Sequence, residues 1–149
     1  MRLEVLLSAM FLEDYKYIDT LNITSDCVVV NQCNENDIQS ISYNGRNVKF
    51  ISTTERGLSR SRNMAIANAN EDICILCDND VEYVKGYENI ILDQFRRYPE
   101  YDIIIFFIDR KINDSKPYFD RPKKMGYIST LKVFSPEIAF RRKSIEDNN

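Results

Sequence analysis

The sequence predicts a doubly wound α/β sheet, mostly parallel and built as a single domain. Three observations lead there. Short apolar runs alternate with stretches of helical spacing over about 110 of the 149 residues. The runs are continuously apolar, the signature of strands buried on both faces. One of them, Ile73-Cys74-Ile75-Leu76-Cys77, ends in Asp78-Asn79-Asp80. That sets acidic side chains at the carboxyl end of a strand, where open α/β sheets take their ligands.

Residues 3–7 read as the first strand, and residues 11–21 as a helix with Leu12, Tyr15 and Ile18 on one side. Cys27-Val28-Val29-Val30 is a second buried strand that runs into Asn31-Gln32 and a polar, turn-forming stretch to Asp37. Residues 48–52 form a third strand and 57–70 a helix. The run 73–77 is the fourth strand, followed by a helix at 86–98 that Pro99 ends. Tyr87, Ile90, Ile91 and Tyr98 recur in it at helical spacing, so it is expected to pack on the sheet. Residues 103–108 read as a fifth, fully apolar strand. The polar segment 113–126 holds Pro117, Pro122 and the cations Arg121, Lys123 and Lys124, and 132–142 is expected to be a further strand or hairpin arm.

The helix from Gly57 contains an anomaly. At 100° per residue Leu58, Ala65 and Ala69 share an apolar face, and Arg62 lies in the middle of it. A guanidinium on a core-facing stripe needs a partner. Near the start of this helix it is close to the sheet edge where Asp78 and Asp80 emerge. It is expected either to tie helix to sheet by pairing with a carboxylate such as Asp78, or to organise a ligand pocket; the two are compatible. Arg56 and Arg60 are expected to face solvent or a diphosphate.

Composition removes several chemistries. The chain has no histidine, which excludes Ser-His-Asp and Cys-His catalysis and HExxH zinc sites. A net charge of −3 supplies no basic footprint for nucleic acid. Cys74 and Cys77 have a metal-like spacing, but on a strand they point to opposite faces, so Cys27, Cys33, Cys74 and Cys77 are expected to be buried thiols in a reducing cytoplasm. No apolar run approaches the ~20 residues that span a membrane, which leaves peripheral membrane contact open. Carboxylates two apart on a strand face the same way and repel unless a cation lies between them. A hard divalent ion with oxygen ligands answers that need and commonly brings phosphates; an acidic turn after a strand is the plain alternative.

These residues have a known counterpart. Gly57-Leu58-Ser59-Arg60-Ser61-Arg62-Asn63-Met64-Ala65-Ile66, then Ala69, then Asp72 through Asp78-Asn79-Asp80, resembles the core of family 2 glycosyltransferases. The match in order and spacing runs from Leu3 to about Arg110. The resemblance implies a GT-A fold, a nucleotide-binding half related to the Rossmann type. It also implies a nucleotide-sugar donor (UDP-, dTDP- or GDP-linked) and a Mn²⁺ or Mg²⁺ cofactor. Asp78, with Asn79 beside it, is implied at the donor ribose, Asp80 at the metal, Arg62 as the helix arginine, and Ser8 and Ala9 at the nucleobase. Two departures stand out. Ser8-Ala9-Met10 replaces the usual Pro-Tyr-Asn, and Asn31-Gln32 occupies the place of an acidic pair that reads the base; an amide can also read a base edge.

The implied activity is metal-dependent, inverting transfer of a sugar to the hydroxyl of a saccharide or lipid-linked saccharide in bacterial polysaccharide synthesis, in the cytoplasm. The family's general base lies beyond an Arg-Arg segment resembling Pro136-Glu137-Ile138-Ala139-Phe140-Arg141-Arg142. The chain is therefore expected to be the donor-binding portion of a longer enzyme, truncated before the acceptor half. The catalytic base is left unassigned, with Glu137 the first residue to check. Two alternatives stand beside this: a non-catalytic nucleotide-binding fragment, and a DxD phosphohydrolase or nucleotidyltransferase. The latter has its motif after the first strand with a Thr two residues on, whereas here it follows the fourth and Glu82 stands there.

Overall fold

The computed structural model describes residues 1–109, 121–126, 130 and 132–146. Most of the polar segment expected at 113–126 and the acidic tail 147–149 lie outside the described residues. A seven-stranded sheet runs through the molecule in the order β3-β4-β2-β1-β5-β7-β6. Its strands are β1 (Leu3–Met10), β2 (Asp26–Gln32), β3 (Asp37–Tyr43), β4 (Arg46–Thr53), β5 (Ile73–Asp78), β6 (Ile103–Ile105) and β7 (Ile138–Arg141). The four central strands β4, β2, β1 and β5 are mutually parallel. β3 pairs antiparallel with β4, and β7 antiparallel with both β5 and β6.

The continuous apolar runs have the expected cause, because β1 feeds both faces of the sheet. Leu3, Val5, Leu7 and Ala9 join Cys27, Val29, Ile75 and Cys77 on one face. There they meet Ile18 and Leu21 and the buried side of helix α3 (Tyr87–Arg97): Tyr87, Ile91, Leu92 and Phe95. Leu6 joins Val28, Val30, Cys74 and Leu76 on the other, beneath Ala65 of helix α2 (Leu58–Ala67). The CxxC pair is thus split between the two faces, and all four cysteines are buried and free. Among the described residues no helix is long and apolar enough to cross a membrane.

Five expectations need correction. The helix expected at 11–21 is one turn, α1 (Tyr17–Thr20). Phe11 takes a left-handed φ of 52°, and the Asp14 carboxylate accepts from the Lys16 amide in a local turn instead. The turn-forming stretch after β2 is followed by a strand that was not foreseen, β3. Asn44 (φ 51°) and Gly45 (φ 78°) form the hairpin tip joining it to β4, the residue pair that two-residue hairpins favour. α2 buries Ser61 and Ala65, whereas Leu58 is exposed, so the apolar stripe is rotated from the expected one. In α3 Ile90 faces outward, and Leu92 and Phe95 bury. Finally, β6 is a three-residue edge strand with Ile103 exposed, because β7 inserts between it and β5.

Candidate functional site

The site lies at the carboxyl edge of the parallel strands. Ser8 of β1 is in register with Asp78 of β5, and α2 packs on β1 and β2 beside them. Arg62 Nη2 donates to Asp78 Oδ1 at 2.9 Å and to Oδ2 at 3.2 Å. The two side chains are 17% and 30% exposed, so this is a half-sheltered pair joining helix to sheet. Beside it the buried Ser61 hydroxyl donates to the Ser8 hydroxyl at 2.8 Å. Arg62 Nε is buried and has no hydrogen-bond partner among the described residues, an orphaned donor next to the pair.

β5 ends at Asp78, and Asn79 and Asp80 form a turn. The two carboxylates therefore do not share a strand face as expected, and Arg62 already balances the charge of Asp78. The Asn79 carbonyl accepts from the Tyr17 hydroxyl at 2.9 Å, which fastens the turn to α1. Asp80 is exposed and makes no hydrogen bond or ion pair with another described residue. Among the described residues no three His, Cys, Asp or Glu side chains converge as a protein-only metal cage.

At the end of β2 both amides are bound to backbone. Asn31 Oδ1 accepts from the Leu12 amide at 2.9 Å, and Asn31 Nδ2 donates to the Leu12 carbonyl at 3.2 Å. Gln32 Oε1 accepts from the Gly57 amide at 2.7 Å. Gly57 sits at φ 118°, where only glycine is at ease, and opens α2. Ala9, also among the nucleobase candidates, is buried in the core on the side away from α2.

The family model described as Glycosyl transferase family 2 matches residues 23–147. The chain belongs to glycosyl transferase family 2. Solved structures of S. aureus TarS share its fold. TarS 1–349 superimposes with a TM-score of 0.74 at 17% identity, covering 99% of this chain and 49% of that one. The same fragment in complex with UDP-GlcNAc gives 0.70 at 18%, covering 99% and 47%. TarS itself gives 0.72 at 17%, covering 100% and 30%. This family 2 chain spans about half the length of the TarS 1–349 chains, and the GT-A expectation holds. No curated protein matches the sequence.

Within the family 2 fold Glu137 closes a 3₁₀ turn, Ser135–Glu137, packed against β5. Its side chain is 1% exposed, and its Oε2 accepts from the Phe134 amide at 2.9 Å. Its carbonyl accepts from the Phe106 amide at 2.8 Å. A general base has to reach the acceptor hydroxyl; this buried carboxylate instead holds the amide that opens its own 3₁₀ turn. Behind Asp78, burial pushes the Cys77 thiol up to about 12, and burial likewise pushes Cys74 up to about 12. Neither is a thiolate near neutrality.

Two residues at this edge, Ser61 and Phe11, escaped the sequence reading, as did the contact of Arg56 with Phe11. Ser61 adjoins Arg62 and was hidden by the assumed helix phase. Phe11 follows β1 with its ring 59% exposed. The Arg56 guanidinium lies over that ring at 5.4 Å. A lone aromatic just past a strand's carboxyl end was the available signal for Phe11; the pairing with Arg56 had none, since 45 positions separate residues 11 and 56.

Proposed function

We propose that this family 2 chain binds the diphosphate of a nucleotide-sugar donor with a divalent cation, and that the protein transfers the sugar to an acceptor hydroxyl with inversion. The single observation that carries the reading is the Arg62–Asp78 pair at the carboxyl edge of the central strands, with Asp80, unpaired among the described residues, two residues beyond. The likeness to TarS, whose solved complexes include UDP and UDP-GlcNAc, supports a nucleotide-sugar donor.

The donor set suits Mn²⁺ or Mg²⁺. Such ions take one or two carboxylates from the protein and complete their shell with phosphate oxygens and water. Asp80 offers an open carboxylate to the ion, and Asp78 retains lone pairs beyond those Arg62 occupies for the ribose hydroxyls. The bound ion supplies Lewis-acid stabilisation of the diphosphate leaving group. The chain's residues do the rest of the positioning. Arg62 holds Asp78 in one rotamer facing the donor ribose, and Tyr17 holds the Asn79 turn so that Asp80 stays at the edge. In transfer the acceptor oxygen bonds to the anomeric carbon from the face opposite the diphosphate, the bond to the diphosphate breaks, and a base takes the acceptor proton. The acceptor is read as a saccharide or lipid-linked saccharide of bacterial polysaccharide synthesis, met in the cytoplasm.

Calorimetric titration with UDP, GDP and dTDP in Mn²⁺ and in EDTA tests the reading. Binding is expected in Mn²⁺ and much weaker binding in EDTA. Equal affinity in both would remove the metal, and no binding in either would remove the donor.

A further inference from the structure

β3 is a seven-residue strand at one end of the sheet, and among the described residues only β4 pairs with it. The other end is β6, three residues long. Edge strands are ordinarily kept from pairing with a second chain by shortness, by Lys or Pro, or by a bulge. β6 has the first of these protections. β3, Asp37-Ile38-Gln39-Ser40-Ile41-Ser42-Tyr43, has none. Its one charge is Asp37 at the start, and its register against β4 is unbroken from Asp37↔Ser52 to Tyr43↔Arg46.

The hairpin fixes which peptide groups of β3 are open. A two-residue tip closes on a hydrogen-bonded pair, here Tyr43 and Arg46. The Asn47 amide, one residue on, turns the opposite way, to the Asp26 carboxylate of β2 at 2.6 Å. By the alternation of an antiparallel ladder, Asp37, Gln39, Ile41 and Tyr43 direct their N–H and C=O groups to β4. Ile38, Ser40 and Ser42 direct theirs outward. The side chains divide in the same way. Ile41 and Tyr43 pack against the core on the α3 face. Ile38, Ser40 and Ser42 rise on the other face, all three exposed, Ile38 by 65%.

The open groups are symmetric about Ser40. When an identical strand runs antiparallel to β3, Ser40 pairs with Ser40 of the second copy, Ile38 with Ser42 and Ser42 with Ile38. Each is then a hydrogen-bonded pair, so every outward N–H meets a C=O. The same register sets no like charges opposite one another. Asp37 comes to lie across from Tyr43, and the two Asp37 carboxylates stand at opposite ends of the pairing, roughly 20 Å apart by strand rise. At the centre the small Ser40 side chains meet without crowding, and each Ile38 covers the serines across from it.

We propose that β3 is a docking edge for a second copy of this chain, paired antiparallel about a two-fold axis at Ser40 that joins the two sheets into one. The axis stands perpendicular to the sheet, so α2 of both copies lies on the same side and the two carboxyl edges point in opposite directions. The contact is mainly main-chain and buries little apolar surface. That places it among weak, reversible associations, with a dissociation constant on the order of 100 μM. The inference stands independently of the donor reading.

The test is sedimentation of the chain across a concentration series that brackets this value, together with Ser40→Lys and Ser40→Asp variants, each with a melting curve. The parent is expected to form a concentration-dependent dimer. Each variant is expected to weaken it by about tenfold or more, because like charges then face each other at the axis. An equimolar mixture of the two variants is expected to restore it. In the parent, amide exchange at Ile38, Ser40 and Ser42 is expected to slow as concentration rises, while Gln39, Ile41 and Tyr43, already bonded to β4, keep their rates. A chain that stays monomeric throughout overturns the proposal; slow exchange at Ile38, Ser40 and Ser42 in that monomer would show another part of the protein covering the edge. A dimer that both variants leave intact places the interface elsewhere and overturns it. So does a dimer that both variants abolish and their mixture does not restore, since the axis then does not pass Ser40. If a variant fails to fold, exchange in the parent decides alone, and rates at the three amides that do not change with concentration overturn the proposal.

Discussion

Asp78 and Asp80 are two residues apart and have different surroundings. Asp78 is held by Arg62 in a half-sheltered pair, and Asp80 stands in an exposed turn. Asp80→Asn is therefore expected to abolish the Mn²⁺ enhancement of nucleotide binding. Asp78→Asn is expected to weaken nucleotide in Mn²⁺ and EDTA alike, because the amide is a poorer partner for Arg62 and releases its rotamer. Titration of each variant in the two buffers reads the difference, and two variants that bind like the parent would make the motif a plain acidic turn. Arg62→Ala removes the helix-to-sheet tie. A fully buried pair would cost 3–5 kcal/mol on losing one partner, but this one is partly open, so about 1–2 kcal/mol is expected. That is roughly 2–8 °C in melting temperature for a domain of this size. An unchanged melting temperature together with unchanged nucleotide affinity would refute the role given to Arg62.

At the scale of elements, the hairpin of β3 and β4 depends on its tip. Asn44 and Gly45 both have positive φ, and nothing lies within 4 Å of a Cβ added at Gly45. The cost of a substitution there is thus backbone strain without a clash. Gly45→Val is expected to destabilise by about 1–2 kcal/mol, read as a lower urea midpoint with an unchanged slope. Below the tip Arg46 is buried and pairs with Asp19, and its guanidinium lies 5.1 Å from the Tyr43 ring centre. The Tyr43 hydroxyl donates to the other Asp19 oxygen at 2.7 Å and, with Arg46, holds that carboxyl below its usual range. The hairpin is thereby fastened to α1, whose Tyr17 in turn holds the Asn79 turn.

Across the whole molecule, the thiols sit in the two apolar layers and make stability sensitive to alkali. Cys74 and Cys77, one on each face of the sheet, both rise from 9.0 to about 12, chiefly because burial disfavours the thiolate. With the folded value raised, the unfolded chain releases its protons first. The contribution to stability is thus complete below pH 9.0 and is lost progressively as pH climbs toward about 12. Urea midpoints are expected to fall steadily above pH 9.0, and less steeply in a Cys74→Ala, Cys77→Ala double variant. A parent midpoint independent of pH across that range would show that the thiols are not held neutral by burial.

The local pattern alone determined the strands of the central sheet, the helices α2 and α3, and the acidic motif at the end of β5. Continuous apolar runs have no stable place except between two layers, and a run that ends in carboxylates can only end at an edge. Arg62 was legible for the same reason: a guanidinium on a helix face that adjoins the sheet has to find an acid, and Asp78 was the acid at hand. The β3 strand was written in Asn44-Gly45, but its polar outer face concealed it, since an edge strand buries little. What only the tertiary structure decided is which atoms were left over for a ligand. Asn31 and Gln32 looked open by residue type, yet each makes a hydrogen bond to backbone residues whose positions depend on how the loops close, and Glu137 is buried against β5 while it binds the amide that opens its own turn. Phe11 and Arg56, distant in sequence, meet because β1, β2 and β4 end at one edge. A sequence records which groups need partners; the partners are settled by the packing that brings distant strand ends within hydrogen-bond reach.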